Sequence, residues 1–153
     1  MTRTKPEPKT TDPTTNRPPA TNIPTYLPVA ASSVSAGFPS PADDFTQNSI
    51  DLNEHLIKHP AATFFVRVSG NSMTGEGIHT NDLLIIDRSL EPYNNAIIIA
   101  IVDGEFTVKR LRKKGTTLYL QPENNNFRPI RIDEHTNFEV WGVVTWILHP
   151  ANL

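Results

Sequence analysis

Ile97-Ile98-Ile99-Ala100-Ile101-Val102-Asp103-Gly104-Glu105-Phe106-Thr107-Val108-Lys109 is the stretch that decides the fold class. Asp103-Gly104 supplies the two positive φ angles of a type I′ turn, and apolar runs flank it, so the segment reads as a β-hairpin. Ile97 to Ile101 lacks polar alternation, the pattern of a strand buried on both faces. Working outward, strands are expected at Thr63–Ser69, Leu83–Asp87, Ala96–Val102, Glu105–Arg112, Thr117–Gln121 and Phe138–Leu148. The body is therefore mostly β, a twisted and partly closed set of sheets. One or two short helices precede it. Ser40-Pro41-Ala42-Asp43 has an N-cap, a first-turn proline and an early acid. Asp51-Leu52-Asn53-Glu54 is a capping-box variant, with Leu52 and Leu56 one turn apart and His59-Pro60 as the stop.

Composition changes near residue 36. Residues 1–28 hold seven of the fourteen prolines, with many threonines. Such a segment lacks backbone donors and apolar surface, and is expected to be an extended, flexible arm. Tyr26-Leu27-Pro28-Val29-Ala30-Ala31 is more apolar and could lie as a strand against the body. The whole chain has 153 residues, enough for one domain with a tail. With no cysteine, disulfides and thiolate chemistry are excluded. The formal charge of −2 does not suit a protein built to grip phosphate backbones. No apolar run approaches the ~20 residues of a membrane span, and no signal-peptide core follows the slightly basic start. A cytoplasmic location is expected.

Two residues draw attention as chemistry. Ser72 stands in Ser69-Gly70-Asn71-Ser72-Met73, directly after the apolar strand Phe64–Val68. A glycine there permits a sharp turn that lifts the next side chains out of the sheet and exposes backbone N–H groups, the material of an oxyanion hole. Alone, a serine after glycine is ordinary turn chemistry. Lys109 alternates onto the face of Thr107 and Leu111, opposite Val108. If that face packs inward, desolvation lowers its pKa, and a fall from about 10.4 toward 7 would cost on the order of 4–5 kcal/mol. Otherwise Lys109 opens a solvated basic run with Arg110, Arg112, Lys113 and Lys114, more in keeping with a strand end and hairpin loop than with a nucleic-acid stripe. The histidines at 55, 59, 79, 135 and 149 share no metal-ligand spacing, so no metal site and no cofactor are expected. Gly75-Glu76-Gly77 reads as a turn. Trp141 and Trp146 are read as core, and Phe138–Leu148 as a strand that could also form a dimer contact.

Gly37-Phe38-Pro39-Ser40-Pro41-Ala42-Asp43-Asp44 resembles the UmuD branch of the LexA-like family of self-cleaving serine–lysine peptidases. The likeness continues through Ile50-Asp51-Leu52-Asn53, Ser69–Met73, Asn81-Asp82-Leu83-Leu84-Ile85 and Val102–Lys109, and covers residues 36 to about 148. The separations fit as well, with 35 residues from Gly37 to Ser72 and 37 from Ser72 to Lys109. The resemblance implies a LexA-like peptidase fold, Ser72 as nucleophile, Lys109 as general base, and a scissile bond between Ala36 and Gly37. It implies N–H groups of Ser72 and Asn71 as oxyanion donors. Cleavage would divide residues 1–36 from a peptidase and dimerisation domain, 37–153. The implied partners are a second copy of the chain, RecA filaments on single-stranded DNA as activator, and a UmuC-like Y-family polymerase subunit. The arm is longer and richer in proline and threonine than the family pattern.

Three other functions fit these residues less well. A self-cleaving gene repressor carries a helix-turn-helix domain ahead of the cut, which the proline-rich 36 residues before Gly37 do not accommodate. A non-catalytic module of the same fold would not need Ser72 and Lys109 at the family spacing. A signal peptidase would need a membrane anchor.

Overall fold

The computed structural model of the protein describes residues 24–30, 33–38 and 46–151. The helix expected at Ser40–Asp43 and most of the expected arm lie outside them. The elements are β1 (Leu27–Ala30), β2 (Thr46–Ile50), α1 (Leu52–Leu56), β3 (Thr63–Arg67), β4 (Leu83–Asp87), β5 (Ile97–Val102), β6 (Glu105–Lys114), β7 (Thr117–Gln121), β8 (Ile130–Ile132) and β9 (Phe138–Leu148). The fold is mostly β, as expected. β3 to β9 form one antiparallel seven-stranded sheet in the order β3-β4-β9-β5-β6-β7-β8, and β1 and β2 form a separate ribbon.

The hairpin is the segment's strongest local decision. Asp103 (φ 50°) and Gly104 (φ 87°) both turn left-handed between Val102 and Glu105, so only two residues link β5 to β6. β5 is covered on both faces: Ile99 packs with Val68, Met73, Ile78, Leu84 and Ile86, whereas Ile98 and Ala100 pack with Ala96, Leu111, Leu120 and Val143. That explains its lack of polar alternation.

β4 and β5 follow one another in sequence, yet they are not neighbours. β9 inserts between them, pairing through Val143–Leu148 with β4 and through Phe138–Val143 with β5. Each pairing is interrupted by a bulge, between Ile85 and Ile86 and between Ile99 and Ala100, which bends the seam. Gly142 is needed at this seam, because a Cβ there would stand 2.4 Å from Ile86 Cγ2. β9 is thus laddered to β5 along its first half and to β4 along its second.

Four readings need correction. β2 and β8 were not anticipated: Thr46–Ile50 is polar but pairs with β1, and Ile130–Ile132 has only three residues. The strand expected near Tyr26 joins β2 rather than the main sheet, and all of β1 is exposed. α1 ends at Leu56, and Pro60 opens a 3-10 turn, Pro60–Ala62, instead of stopping the helix. Trp141 is half-buried under Arg88, but Trp146 is 42% exposed, because α1 reaches it only through a tilted contact with the His55 ring. Among the described residues no helix is long and apolar enough to cross a membrane.

Side-chain caps tie the loops down. Asp51 accepts from Asn53 N at 2.9 Å as the α1 N-cap and from Thr25 N at 3.0 Å, linking the ribbon's entry to the helix. Buried Asp87 closes β4, accepting from Ser89 N at 2.8 Å and Ser89 Oγ at 2.6 Å, with His59 Nδ1 2.6 Å away. Burial raises the Asp87 pKa, but the Ser89 and His59 contacts outweigh it and hold the carboxyl below the usual carboxylate range. Its stabilisation is therefore fully present above about pH 4, the unfolded value, and is lost as pH falls through the lower native value. Asp87→Asn is expected to cost about 1–3 kcal/mol at neutral pH. Urea midpoints measured from pH 7 down to pH 3 should show that deficit shrinking toward the acid end.

Candidate active site

Beyond β3 the chain leaves the sheet edge in a turn built around Ser72. Val68 N donates to Asp82 O and Asn81 N to Val68 O, both at 2.9 Å. Gly70 then takes φ 102°, a conformation that costs a residue with a Cβ far more than glycine. Met73 buries its side chain beside Ile78 and so anchors the turn in the core. A 3-10 turn, Thr74–Glu76, follows and is closed by Gly77 in the left-handed region, which accounts for the Gly75-Glu76-Gly77 string.

The carbonyls of this turn are held one by one. Thr80 Oγ1 donates to Gly70 O at 3.1 Å, and Asn124 Nδ2 donates to Asn71 O at 2.7 Å with Thr74 Oγ1 at 3.3 Å. Glu123 N donates to Ser72 O at 2.9 Å. In a trans peptide the N–H points opposite to the carbonyl of the preceding residue. Holding the carbonyls of Gly70 and Asn71 therefore sets the directions of the Asn71 and Ser72 N–H groups. Among the described residues neither of those N–H groups has an acceptor. The clamp itself is fixed: Arg110 pairs with Glu76 and, at 2.6 Å, with Glu123. Gly75 N donates to Glu123 O at 2.6 Å, an approach so close that a Cβ on Gly75 would stand 2.5 Å from that oxygen.

Lys109 comes from β6, opposite Ile98 of β5. It is 8% exposed, so the inward alternative holds and the solvated-run alternative does not. The rest of the run divides: Arg110 joins the two glutamates, and Lys113 and Lys114 face out. Lys109 Nζ lies 2.8 Å from Ser72 Oγ, 2.8 Å from Thr107 Oγ1 and 3.0 Å from Val108 O. Burial pushes the ammonium pKa below its usual value. A neutral amine has two N–H groups and one lone pair. Val108 O and Thr107 Oγ1 can take the two N–H groups, leaving the lone pair to accept from the Ser72 hydroxyl. The three contacts thus accommodate the neutral form as well as the ammonium, whose three N–H groups would donate to all three oxygens.

Ser72 opens onto a cleft of about 350 Å³, lined by Val66, Val68, Ser69, Ile99, Phe106 and Val108 among others. The walls are mainly apolar, suited to small side chains. Ala36 and Gly37 lie elsewhere, in an exposed bend where Gly37 N donates to Ser35 Oγ at 3.2 Å. Among the described residues none from 33–38 lines the cleft, so this structure brings Ser72 and Lys109 together but not the expected scissile bond. A roomier depression beside Pro24, Tyr26 and Asp51 carries no comparable pairing of nucleophile and base.

Sequence reading missed the supporting residues. Asn124 acts across 53 positions and Glu123 through its backbone, so no local pattern marks them. Thr107 was legible only as a residue on the face of Lys109.

The chain matches the family described as Peptidase S24-like over residues 28–145. It is 43% identical over 135 residues to protein MucA of Salmonella typhimurium, covering 86% of this chain and 89% of MucA. It is 45% identical over 116 residues to protein SamA of Salmonella typhimurium strain LT2, covering 76% and 80%. With protein ImpA of Escherichia coli the identity is 44% over 124 residues, covering 80% and 83%. The chain belongs to the S24-like peptidase family and, within it, stands with the UmuD-family proteins MucA, SamA and ImpA.

Proposed function

We propose that the chain is a UmuD-like protein of SOS mutagenesis that cuts its own backbone between Ala36 and Gly37. The observation that carries this reading is the 2.8 Å contact between Ser72 Oγ and the buried Lys109 Nζ. Neutral Lys109 takes the Ser72 proton as Oγ attacks the Ala36 carbonyl carbon. The Asn71 and Ser72 N–H groups receive the oxyanion. Lys109 returns the proton to the departing Gly37 amine, leaving Ala36 as an ester on Ser72. Water, with Lys109 again as base, releases residues 1–36. By the same family likeness the shortened homodimer serves an error-prone, UmuC-like Y-family polymerase subunit, and RecA–single-stranded-DNA filaments stimulate the cut.

Two features support a slow, regulated reaction. The bend carrying Ala36 and Gly37 must move into the cleft, and that docking further dries Lys109. A filament that favours the docked state gains about 1.4 kcal/mol of effect for each tenfold population shift. Release of residues 1–36 also removes β1 and leaves the β2 edge unpaired.

Intact mass after long incubation at mildly alkaline pH is expected to show fragments 1–36 and 37–153. Ser72→Ala and Lys109→Ala should abolish them, and Lys109→Arg should fail because a guanidinium stays protonated. Cleavage by the Ser72→Ala protein at the normal rate would overturn the mechanism. Gly37→Val should block the cut without unfolding the body, since a Cβ there meets only Ser35 Oγ at 4.0 Å.

The rate is expected to climb with pH through the lowered Lys109 pKa and then level off, because only the unprotonated amine is a base. A profile flat from mildly acidic to alkaline pH would remove Lys109 from that role.

Asn124→Ala frees the carbonyl that aims the Ser72 N–H. Cleavage is expected to slow on the order of tenfold or more with the pH profile unmoved, measured by the same mass assay. An unchanged rate would show that the turn holds its donors without the clamp.

A further inference from the structure

His79, Asp82 and His149 meet where β4 begins and β9 ends. The meeting follows from strand register. Leu83 of β4 pairs with Leu148 of β9, so the next residues outward, Asp82 and His149, face one another although 67 positions apart. His79 arrives from the turn before β4. The potential ligand atoms of the three residues all lie within 4.8 Å of one another. His149 Nδ1 is 2.6 Å from Asp82 Oδ1, and the two imidazole rings are 5.0 Å apart between centroids.

The carboxylate is rigid and the rings are adjustable. Asp82 is 1% exposed; its Oδ2 accepts from His79 N at 2.7 Å, and its own N and O are bonded to His79 O and Val68 N. The histidine side chains are each about half exposed, at 49% and 53%. A hydrogen bond between His149 and Asp82 accounts for two of the three residues. It does not account for His79, whose Nδ1 stands 3.8 Å from Asp82 Oδ2, too far to bond and yet aimed at the same carboxylate. An ion between them would fill that gap.

We propose that His79, Asp82 and His149 bind a divalent transition-metal cation of the zinc type. Two imidazoles and one carboxylate form a borderline donor set that suits zinc and its late first-row neighbours rather than magnesium or calcium. Zinc–ligand distances of about 2.0–2.2 Å put ligand atoms roughly 3.3 Å apart, between the 2.6 Å of His149 to Asp82 and the 3.8 Å of His79 to Asp82. Rotation of the two half-exposed rings closes the difference, and the open side leaves a coordination position for water. The ion would tie the end of β9 to the turn whose Thr80 holds Gly70, two residues before Ser72.

The test uses the full chain, stripped with a chelator and titrated with zinc by calorimetry and with cobalt by visible absorption. One zinc per chain is expected, with a cobalt d–d band that zinc displaces and magnesium does not. His79→Ala and His149→Ala should each weaken zinc by more than about tenfold. His135→Ala, a fully separate exposed histidine, should not. His149→Ala removes a hydrogen bond of buried Asp82; if that variant fails to fold, His79→Ala decides alone, since among the described residues its ring makes none. No saturable binding up to millimolar zinc, or zinc affinity unchanged in His79→Ala, overturns the site.

Discussion

One strand holds the molecule together as a functional object. β9 hydrogen-bonds to β4 along one half of its length and to β5 along the other, and so joins two blocks of chain that are otherwise separate hairpin systems. The first block carries the turn of Ser72 after β3, fastened to β4 through Val68, Asn81 and Asp82. The second carries Lys109 on β6. The 2.8 Å contact between them exists because β9 fixes the distance between the blocks. Backbone ladders set such distances firmly, since slipping by one residue would turn every side chain to the wrong face.

Within that frame the proposed chemistry depends on keeping Lys109 dry. Glu76 and Glu123 are taken by Arg110, and burial alone lowers the Lys109 pKa, with no charge partner beside it. Each pKa unit by which the amine is depressed costs about 1.36 kcal/mol. The structure offsets part of that with two acceptors suited to a neutral amine, Thr107 Oγ1 and Val108 O. Arg110 for its part holds Glu123 against the turn of Ser72.

The exposed bend at Ala36 and Gly37 belongs to a different level of organisation. It has few contacts, and its separation from the cleft keeps the paired side chains without a bond to act upon. Regulation of the proposed cut is then a matter of bringing the bend in, rather than of building the site.

Much of this was legible in the residues. Asp103-Gly104 determined the hairpin because few residues accept two successive left-handed conformations, and the unbroken Ile97–Ile101 run determined a strand covered on both faces. The family resemblance carried by Ser69–Met73 and Val102–Lys109 singled out Ser72 and Lys109, and alternation placed Thr107 beside the lysine. Local sequence could not decide whether Lys109 faced inward, because a basic run looks the same solvated or buried until its neighbours are packed. β2 and β8 escaped notice because pairing, rather than apolar pattern, makes them strands. The contact of Asn124 with Asn71, 53 positions away, and the meeting of His149 with Asp82, 67 positions away, were likewise decided by tertiary structure alone, because loop packing sets the first and the β4–β9 register the second.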